Sequence, residues 1–228
     1  MRYKNIKDAV FIKRPNRFVA EVIVDGKEER VHVKNTGRLR ELLKEGTPVI
    51  LEEAENPDRK TKYSLVAVYK GDEIVNIDSQ APNAAAFEAL SEGLIEEIGK
   101  PDFVKREVKY DASRFDLYYE KDGRKGFVEV KGVTLDVNGT AKFPDAPTER
   151  GAKHLRELVK AKKEGYESSV LFVIQMKNIN EFEPNYDTDI DFAEELKNAC
   201  NAGVNVLAYD CIIEKNSMRI DKRVFVKI

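Results

Sequence analysis

The sequence predicts an α+β protein of two domains, a small antiparallel β-barrel over residues 1–80 and an α/β domain with a mixed sheet over residues 81–228. Three observations predict it. Through the first eighty positions apolar residues alternate at period two between turn signals. Beyond Pro82, long helical patterns interleave with strand patterns. Between the two lies Ser79-Gln80-Ala81-Pro82-Asn83, a linker with a Pro stop. A chain of 228 residues has room for such a pair.

Composition narrows the class. Hydrophobic residues make up 42%, enough for a packed core. Lys plus Arg number 39 against 41 Asp plus Glu, which excludes a uniformly basic coat but allows a local basic patch. No run approaches the ~18 apolar residues of a membrane span, and MRYKNIKD opens too polar a segment for a signal peptide. Cys200 and Cys211 cannot staple a chain of this size, and their scarcity fits a reducing compartment. A cytoplasmic protein without a membrane partner is expected.

Each element of the barrel has a local cause. Ala9 to Ile12 is a short apolar run. Phe18, Ala20, Val22 and Val24 alternate, and Asp25-Gly26 turns the chain into Glu28 to Val33. Asn35-Thr36-Gly37 punctuates, then Leu39, Leu42 and Leu43 at helical spacing predict a short helix capped by Gly46. Val49 to Leu51, Tyr63 to Tyr69 and Ile74 to Ile77 read as strands. Strands, short helix, strands is the order of a five-stranded Greek-key barrel of the oligonucleotide-binding (OB) type.

The barrel's cations gather in turns: Pro15-Asn16-Arg17, Asn35-Thr36-Gly37-Arg38 and Asp58-Arg59-Lys60-Thr61-Lys62. Guanidinium, ammonium, amide and exposed backbone N–H groups in such turns grip phosphate. Asn16, Arg17, Asn35, Thr36, Arg38, Arg59 and Lys60 are the candidate nucleic-acid contacts. Residues 1–80 hold 16 basic and 14 acidic residues, so any patch is one-sided.

In the second domain Asn83 is the expected N-cap of a helix carrying Phe87, Leu90, Leu94 and Ile98. Val104 to Tyr110, Arg114 to Glu120 and Gly126 to Gly132 follow as strands. Thr148 caps a helix carrying Ala152, Leu155, Leu158 and Val159. Val170 to Ile174 is apolar throughout, as in a strand buried on both faces. Helix Phe192 to Ala199, strand Val204 to Ile213 and segment Met218 to Val226 complete the chain.

One constellation carries chemistry. Asp122-Gly123 is a tight-turn signal; pairing Lys121 with Arg124 places Asp116 opposite Glu129 and Arg114 opposite Lys131. These four then share one face, with Val128 and Val130 on the other. Opposed carboxylates repel unless a cation neutralises them, and hard oxygen donors suit Mg²⁺ or Mn²⁺. Lys131 can stabilise developing negative charge. Asp116, Glu129 and Lys131 are therefore candidate catalytic residues for metal-dependent phosphodiester cleavage.

Asp on the second strand and Glu-x-Lys on the third, after a helix, resemble the PD-(D/E)XK nuclease core. That resemblance implies a metal-ligand Glu on the first helix, where Glu88 stands, beside Asp116 and Glu129. Ser113-Arg114-Phe115-Asp116 replaces the Pro-Asp dipeptide. The helix after the third strand places Arg150 and His154 four apart on one face. With Lys153 and Arg114 they are further candidate contacts to nucleic acid.

Phe11-Ile12-Lys13-Arg14-Pro15-Asn16-Arg17-Phe18, Val31-His32-Val33-Lys34-Asn35-Thr36-Gly37-Arg38 and Asn56-Pro57-Asp58-Arg59-Lys60-Thr61 then take on a joint meaning. With Pro82-Asn83 and Glu88, Ser113 to Asp116, Glu129-Val130-Lys131-Gly132-Val133-Thr134 and Phe143 to Gly151, they resemble the sugar fermentation stimulation protein A family. The resemblance implies an OB barrel joined to a nuclease-like domain, non-sequence-specific DNA binding and a link to sugar utilisation. Two functions are open: a Mg²⁺- or Mn²⁺-dependent nuclease acting on DNA or RNA, and a DNA-binding regulator whose nuclease fold does not turn over.

Overall fold

A computed structural model describes residues 1–56, 58–111 and 113–228. Pro57, in the third matching stretch, lies outside them. Strands β1 (Ile6–Asn16), β2 (Val19–Val24) and β3 (Lys27–Val33) form a meander, followed by β4 (Pro48–Glu53), β5 (Tyr63–Lys70) and β6 (Glu73–Asn76). The order is β3-β2-β1-β4-β5, and β3 pairs parallel with β5 through His32–Ser64 and Val33–Leu65, closing a five-stranded barrel. Closure removes both free edges; β6 hangs from β5 and leads out of the barrel.

The period-two residues fill the barrel because they alternate inward: Ala20, Val22 and Val24 are buried, as are Val31 and Val33. The predicted helix at Leu39 is only one turn. Leu42 and Leu43 both donate to the Leu39 carbonyl, while Leu39 itself has φ +51°, outside the helical region. Leu39 and Leu42 are buried all the same and Leu43 packs partly buried against the core, so their spacing reflects packing under the barrel.

The second domain begins with α1 (Ala81–Glu92), then β7 (Phe103–Tyr110), β8 (Ser113–Lys121), β9 (Arg124–Val133), β10 (Leu135–Val137) and β11 (Thr140–Phe143). Next come α2 (Glu149–Lys163), β12 (Glu167–Ile174), β13 (Glu181–Pro184), α3 (Ile190–Asn201), β14 (Asn205–Glu214), β15 (Ser217–Arg223) and β16 (Phe225–Val226). The main sheet runs β15-β14-β12-β9-β8-β7, parallel at its centre and antiparallel at its edges. One cluster under α1 contains Val128 and Val130; the other, under α2 and α3, contains Phe127 and Phe172 and runs on into the barrel interior. The two domains therefore share a core. A small sheet, β10-β11-β13-β16, was not foreseen, because its strands are two to four residues long.

Helix α1 starts at Ala81 with Gln80 as its N-cap residue and no side-chain cap. Asn83, the expected cap, stands in the first turn. Thr148 does cap α2: its hydroxyl accepts from Gly151 N at 3.0 Å. No helix among the described residues is long and apolar enough to cross a membrane.

Candidate metal and nucleic-acid site

The β8–β9 hairpin has the expected register, Lys121 with Arg124 through Leu117 with Val128, and then the ladder stops. Neither Asp116–Glu129 nor Arg114–Lys131 is a ladder pair. The reason lies in Asp116, whose Oδ2 accepts from Val130 N at 2.8 Å, taking the place of a strand-to-strand bond. Beyond this point β9 pairs, among the described residues, only with β12. On β8 the period also breaks: Leu117 joins the core under α1 and Phe115 the core under α2. Arg114 turns away from Lys131, pairs in the ladder with Lys109, and its guanidinium reaches Glu107 at 3.3 Å.

Asp116 Oδ1 accepts from Asn83 Nδ2 at 2.8 Å, so α1 contributes an amide to the carboxylate. Burial, and then the neighbouring Glu129 charge, push the Asp116 pKa above its ordinary value. Glu129 is 2% exposed. Its Oε1 accepts from Lys131 Nζ at 2.7 Å and is in close contact with His154 Nδ1. Burial by itself raises its pKa, but the His154 hydrogen bond and the Lys131 charge bring it below the ordinary value. Glu129 Oε2 is buried with no hydrogen-bond partner among the described residues. An orphaned buried carboxylate oxygen is costly, and a hard cation is the partner that suits it.

His154 was expected to touch nucleic acid. Its ring is instead buried between Glu129 and Arg150, whose Nε donates to His154 Nε2 at 3.4 Å. With Nε2 accepting, the ring proton is assigned to Nδ1, which donates to Glu129. The four-residue spacing on α2 sets this stack, because it brings His154 and Arg150 onto one helix face.

Glu88 is not brought to this site. Its carboxylate is paired with the Met1 amino group, which also donates to Met218 O on β15 at 2.8 Å. β15 is four strands from β8, roughly 19 Å at the usual strand spacing. Glu88 lies five residues from Asn83, and five residues turn a helix well past one full turn, so the two cannot share a face. Among the described residues no three His, Cys, Asp or Glu side chains group as a metal-holding set. The site offers two carboxylates, a ligand count that suits Mg²⁺, which usually keeps several waters and takes phosphate oxygens.

Next to the carboxylates opens a channel of about 1000 Å³ lined by Lys109, Arg114, Arg150, Lys153, Arg156 and His154, with Glu107, Ser113 and Glu149. Five cations converge here from β7, β8 and α2, although the chain as a whole is slightly acidic.

The barrel loops are built around a residue not singled out in the sequence. Arg14 donates to the carbonyls of Arg17, Asn35, Gly37 and Arg38 at 2.6–3.1 Å, tying two of the basic turns together. Asn35 is occupied internally, donating to Ile77 O and accepting from Gly37 N. Asn16 Oδ1 likewise accepts from Phe18 N. These two amides shape turns, which is the ordinary use of Asn there. Arg59 leans on Ser64 and Thr61, while Arg17, Thr36, Arg38 and Lys60 are exposed. Arg38 N donates to Asp145 Oδ2 at 3.2 Å, joining the barrel turn to the approach of α2.

An OB barrel packed onto a mixed-sheet α/β domain, with a carboxylate pair on its β8–β9 hairpin, defines the class of protein. Residues 12–77 match the SfsA N-terminal OB domain, and residues 80–217 match the sugar fermentation stimulation protein RE domain. The chain belongs to the sugar fermentation stimulation protein family. It is 55% identical to the sugar fermentation stimulation protein homolog of Alkaliphilus oremlandii, over 98% of this chain and 97% of that one. It is 51% identical to the homolog of Clostridium beijerinckii, with 96% of each chain covered. Its fold matches the structure of Pyrococcus furiosus SfsA in complex with Ca²⁺ with a TM-score of 0.90 and 29% identity, over 100% of this chain and 98% of that one. This family and its OB domain fit DNA binding.

Proposed function

We propose that this protein is a divalent-metal-dependent nuclease that holds DNA by its phosphates without reading its sequence. The observation that carries the reading is Glu129 Oε2, buried and without a partner beside Asp116, Lys131 and His154. The hard-oxygen donor set suits Mg²⁺ or Mn²⁺, with Asp116 and Glu129 as the protein ligands. The Ca²⁺ complex of the Pyrococcus furiosus relative supports a hard divalent ion in this family.

A bound Mg²⁺ or Mn²⁺ supplies Lewis-acid polarisation of the phosphodiester and a more acidic water. The chain's own groups do the rest. Asn83 and Val130 N hold the Asp116 carboxylate by one oxygen each. His154 and Lys131 fix Glu129 through its Oε1 and leave Oε2 available. Lys131, largely buried, presents its ammonium to the reacting phosphate and stabilises the charge that develops. Arg114, Arg150 and Lys153 line the channel and carry the flanking phosphates. Arg17, Arg38, Arg59 and Lys60 extend this contact along the barrel.

Incubation of the purified protein with labelled single- and double-stranded DNA and RNA tests the reading. Cleavage with Mg²⁺ or Mn²⁺ and none with EDTA is expected. Retention of DNA without cleavage of any substrate in either metal would leave the binding function and remove the enzyme.

A further inference from the structure

A second cavity lies at the junction of the two domains. It encloses about 280 Å³ and is lined by Thr36, Ser79 and the Phe143–Thr148 segment, together with Gly132 of β9 and Thr134 just beyond its end. Its chemistry is opposite to that of the channel. Among the described residues no Lys or Arg lines it, and its one charged lining residue is Asp145. A phosphate placed there would meet negative charge. The surfaces on offer are Phe143, Pro144 and Pro147 and the hydroxyls of Thr36 and Thr134. This mixture of flat apolar faces with a few polar groups suits an uncharged, planar, hydrogen-bonding ligand.

The cavity's place identifies that ligand. Gly132 directly follows Lys131, and Thr148 directly precedes Glu149 and Arg150 of the channel. The cavity therefore adjoins β9 one residue beyond Lys131, and adjoins the channel at the N-terminus of α2. Backbone closeness is built in here: a Cβ on Gly132 would stand 2.5 Å from Gln175 Oε1 and 2.7 Å from Pro82 Cγ. Opposite, a Cβ on Gly37 would stand 2.2 Å from Asp145 Oδ2. The side chains of Gln175 and Pro82 on one side and of Asp145 on the other thus pack directly on glycine backbone, which leaves no room for a Cβ at either position.

We infer that this cavity receives the unpaired nucleobase next to the phosphate held at Asp116, Glu129 and Lys131, which makes a strand with unpaired bases the substrate class. The inference rests on the nuclease-site reading and deepens it. A duplex presents its bases paired and stacked inside the helix, and admitting one to so small a recess requires its extrusion at a cost of a few kcal/mol. A single strand or a frayed end has no pairing to break.

Binding in EDTA, measured by fluorescence anisotropy, separates the base from the phosphates. Two labelled single strands of one length are compared, one with bases and one wholly abasic. They carry the same phosphate charge. Wild type should prefer the base-bearing strand by about tenfold or more, as one seated base warrants. Thr134→Phe, which adds bulk at a buried lining position, and Ala146→Leu, which adds bulk at a half-buried wall position, should both shrink that preference. Neither should change affinity for the abasic strand. Ala146→Leu keeps the test standing if Thr134→Phe does not fold. A preference undiminished in the folded variants would overturn the cavity's role and leave the carboxylate site untouched. Failure of wild type to bind either strand would remove this inference together with the nucleic-acid reading beneath it.

Discussion

The Asp116 carboxylate accepts a hydrogen bond from the backbone N–H of Val130 at 2.8 Å, and Val130 is the residue between Glu129 and Lys131. One bond thus sets the distance between the three groups that the sequence had placed on facing strands. It also explains why the hairpin ladder ends at Leu117–Val128. A side chain has taken the donor that the neighbouring strand would otherwise use.

Asp116→Asn should abolish uptake of Mn²⁺, measured by calorimetric titration, and with it any cleavage. It should also stabilise the metal-free fold. Burial and Glu129 raise the Asp116 pKa in the folded protein, so its ionised form opposes folding above that value. The penalty is present at neutral pH and vanishes below the unfolded value of about 3.9. Thermal unfolding in EDTA should show the variant melting higher than wild type at pH 7 and together with it near pH 3. An equal midpoint at pH 7 would contradict the burial argument.

Lys131→Ala should keep the carboxylate ligands and bind both metal and DNA. Its cleavage rate should fall on the order of a hundredfold or more, as for other lost transition-state donors. Single-turnover kinetics beside a binding titration at one salt concentration make the comparison. Equal cleavage by variant and wild type would take Lys131 out of the mechanism.

His154→Ala removes the side chain that holds Glu129 Oε1 from α2. Outer partners of metal ligands typically contribute 10- to 100-fold in affinity, and a loss of about that size is expected in the Mn²⁺ titration. DNA affinity in EDTA should change little, because the ring is buried and Arg150 remains in the channel.

Binding through the barrel turns should weaken steeply with salt, because neutralised phosphates release counterions. Arg38→Ala and Lys60→Ala should each lower affinity alike across unrelated sequences and reduce the salt slope by about 1. Filter binding at several salt concentrations on two sequences reads both quantities. A strong preference for one sequence would refute phosphate-only contact.

Arg14→Met should weaken DNA binding more than Arg17→Ala or Arg38→Ala alone, although Arg14 donates inward. Its guanidinium holds the carbonyls of four residues in both turns. If the variant folds and binds as wild type does, the turns are held by other means.

Much of this protein is written in short-range pattern. Period-two alternation and Asp-Gly turns place the strands, because a residue's face in a strand depends only on its parity. The same parity puts Glu129 and Lys131 together, and helical spacing puts Arg150 beside His154. Thr148 announces α2 because a cap needs only the residues next to it. The strands of the small sheet were not legible, since two to four residues give alternation nothing to act on. The spacing of Leu39, Leu42 and Leu43 misled because burial in a single turn produces the same pattern as a helix.

What the sequence by itself determined is the fold class, the order of the elements and the identity of the groups that carry charge and proton. The tertiary structure decided which of those groups meet. Asn83 reaches Asp116, and Glu88 does not, because a helix presents residues five apart in different directions and α1 crosses the sheet. His154, a candidate nucleic-acid contact, and Arg14, not singled out, became internal struts because partners of theirs lie 21 to 25 residues away in the chain. Asp145, 107 residues from Arg38, joins the barrel turn to the segment that leads into α2. Such contacts depend on how whole elements pack, and no local spacing encodes them.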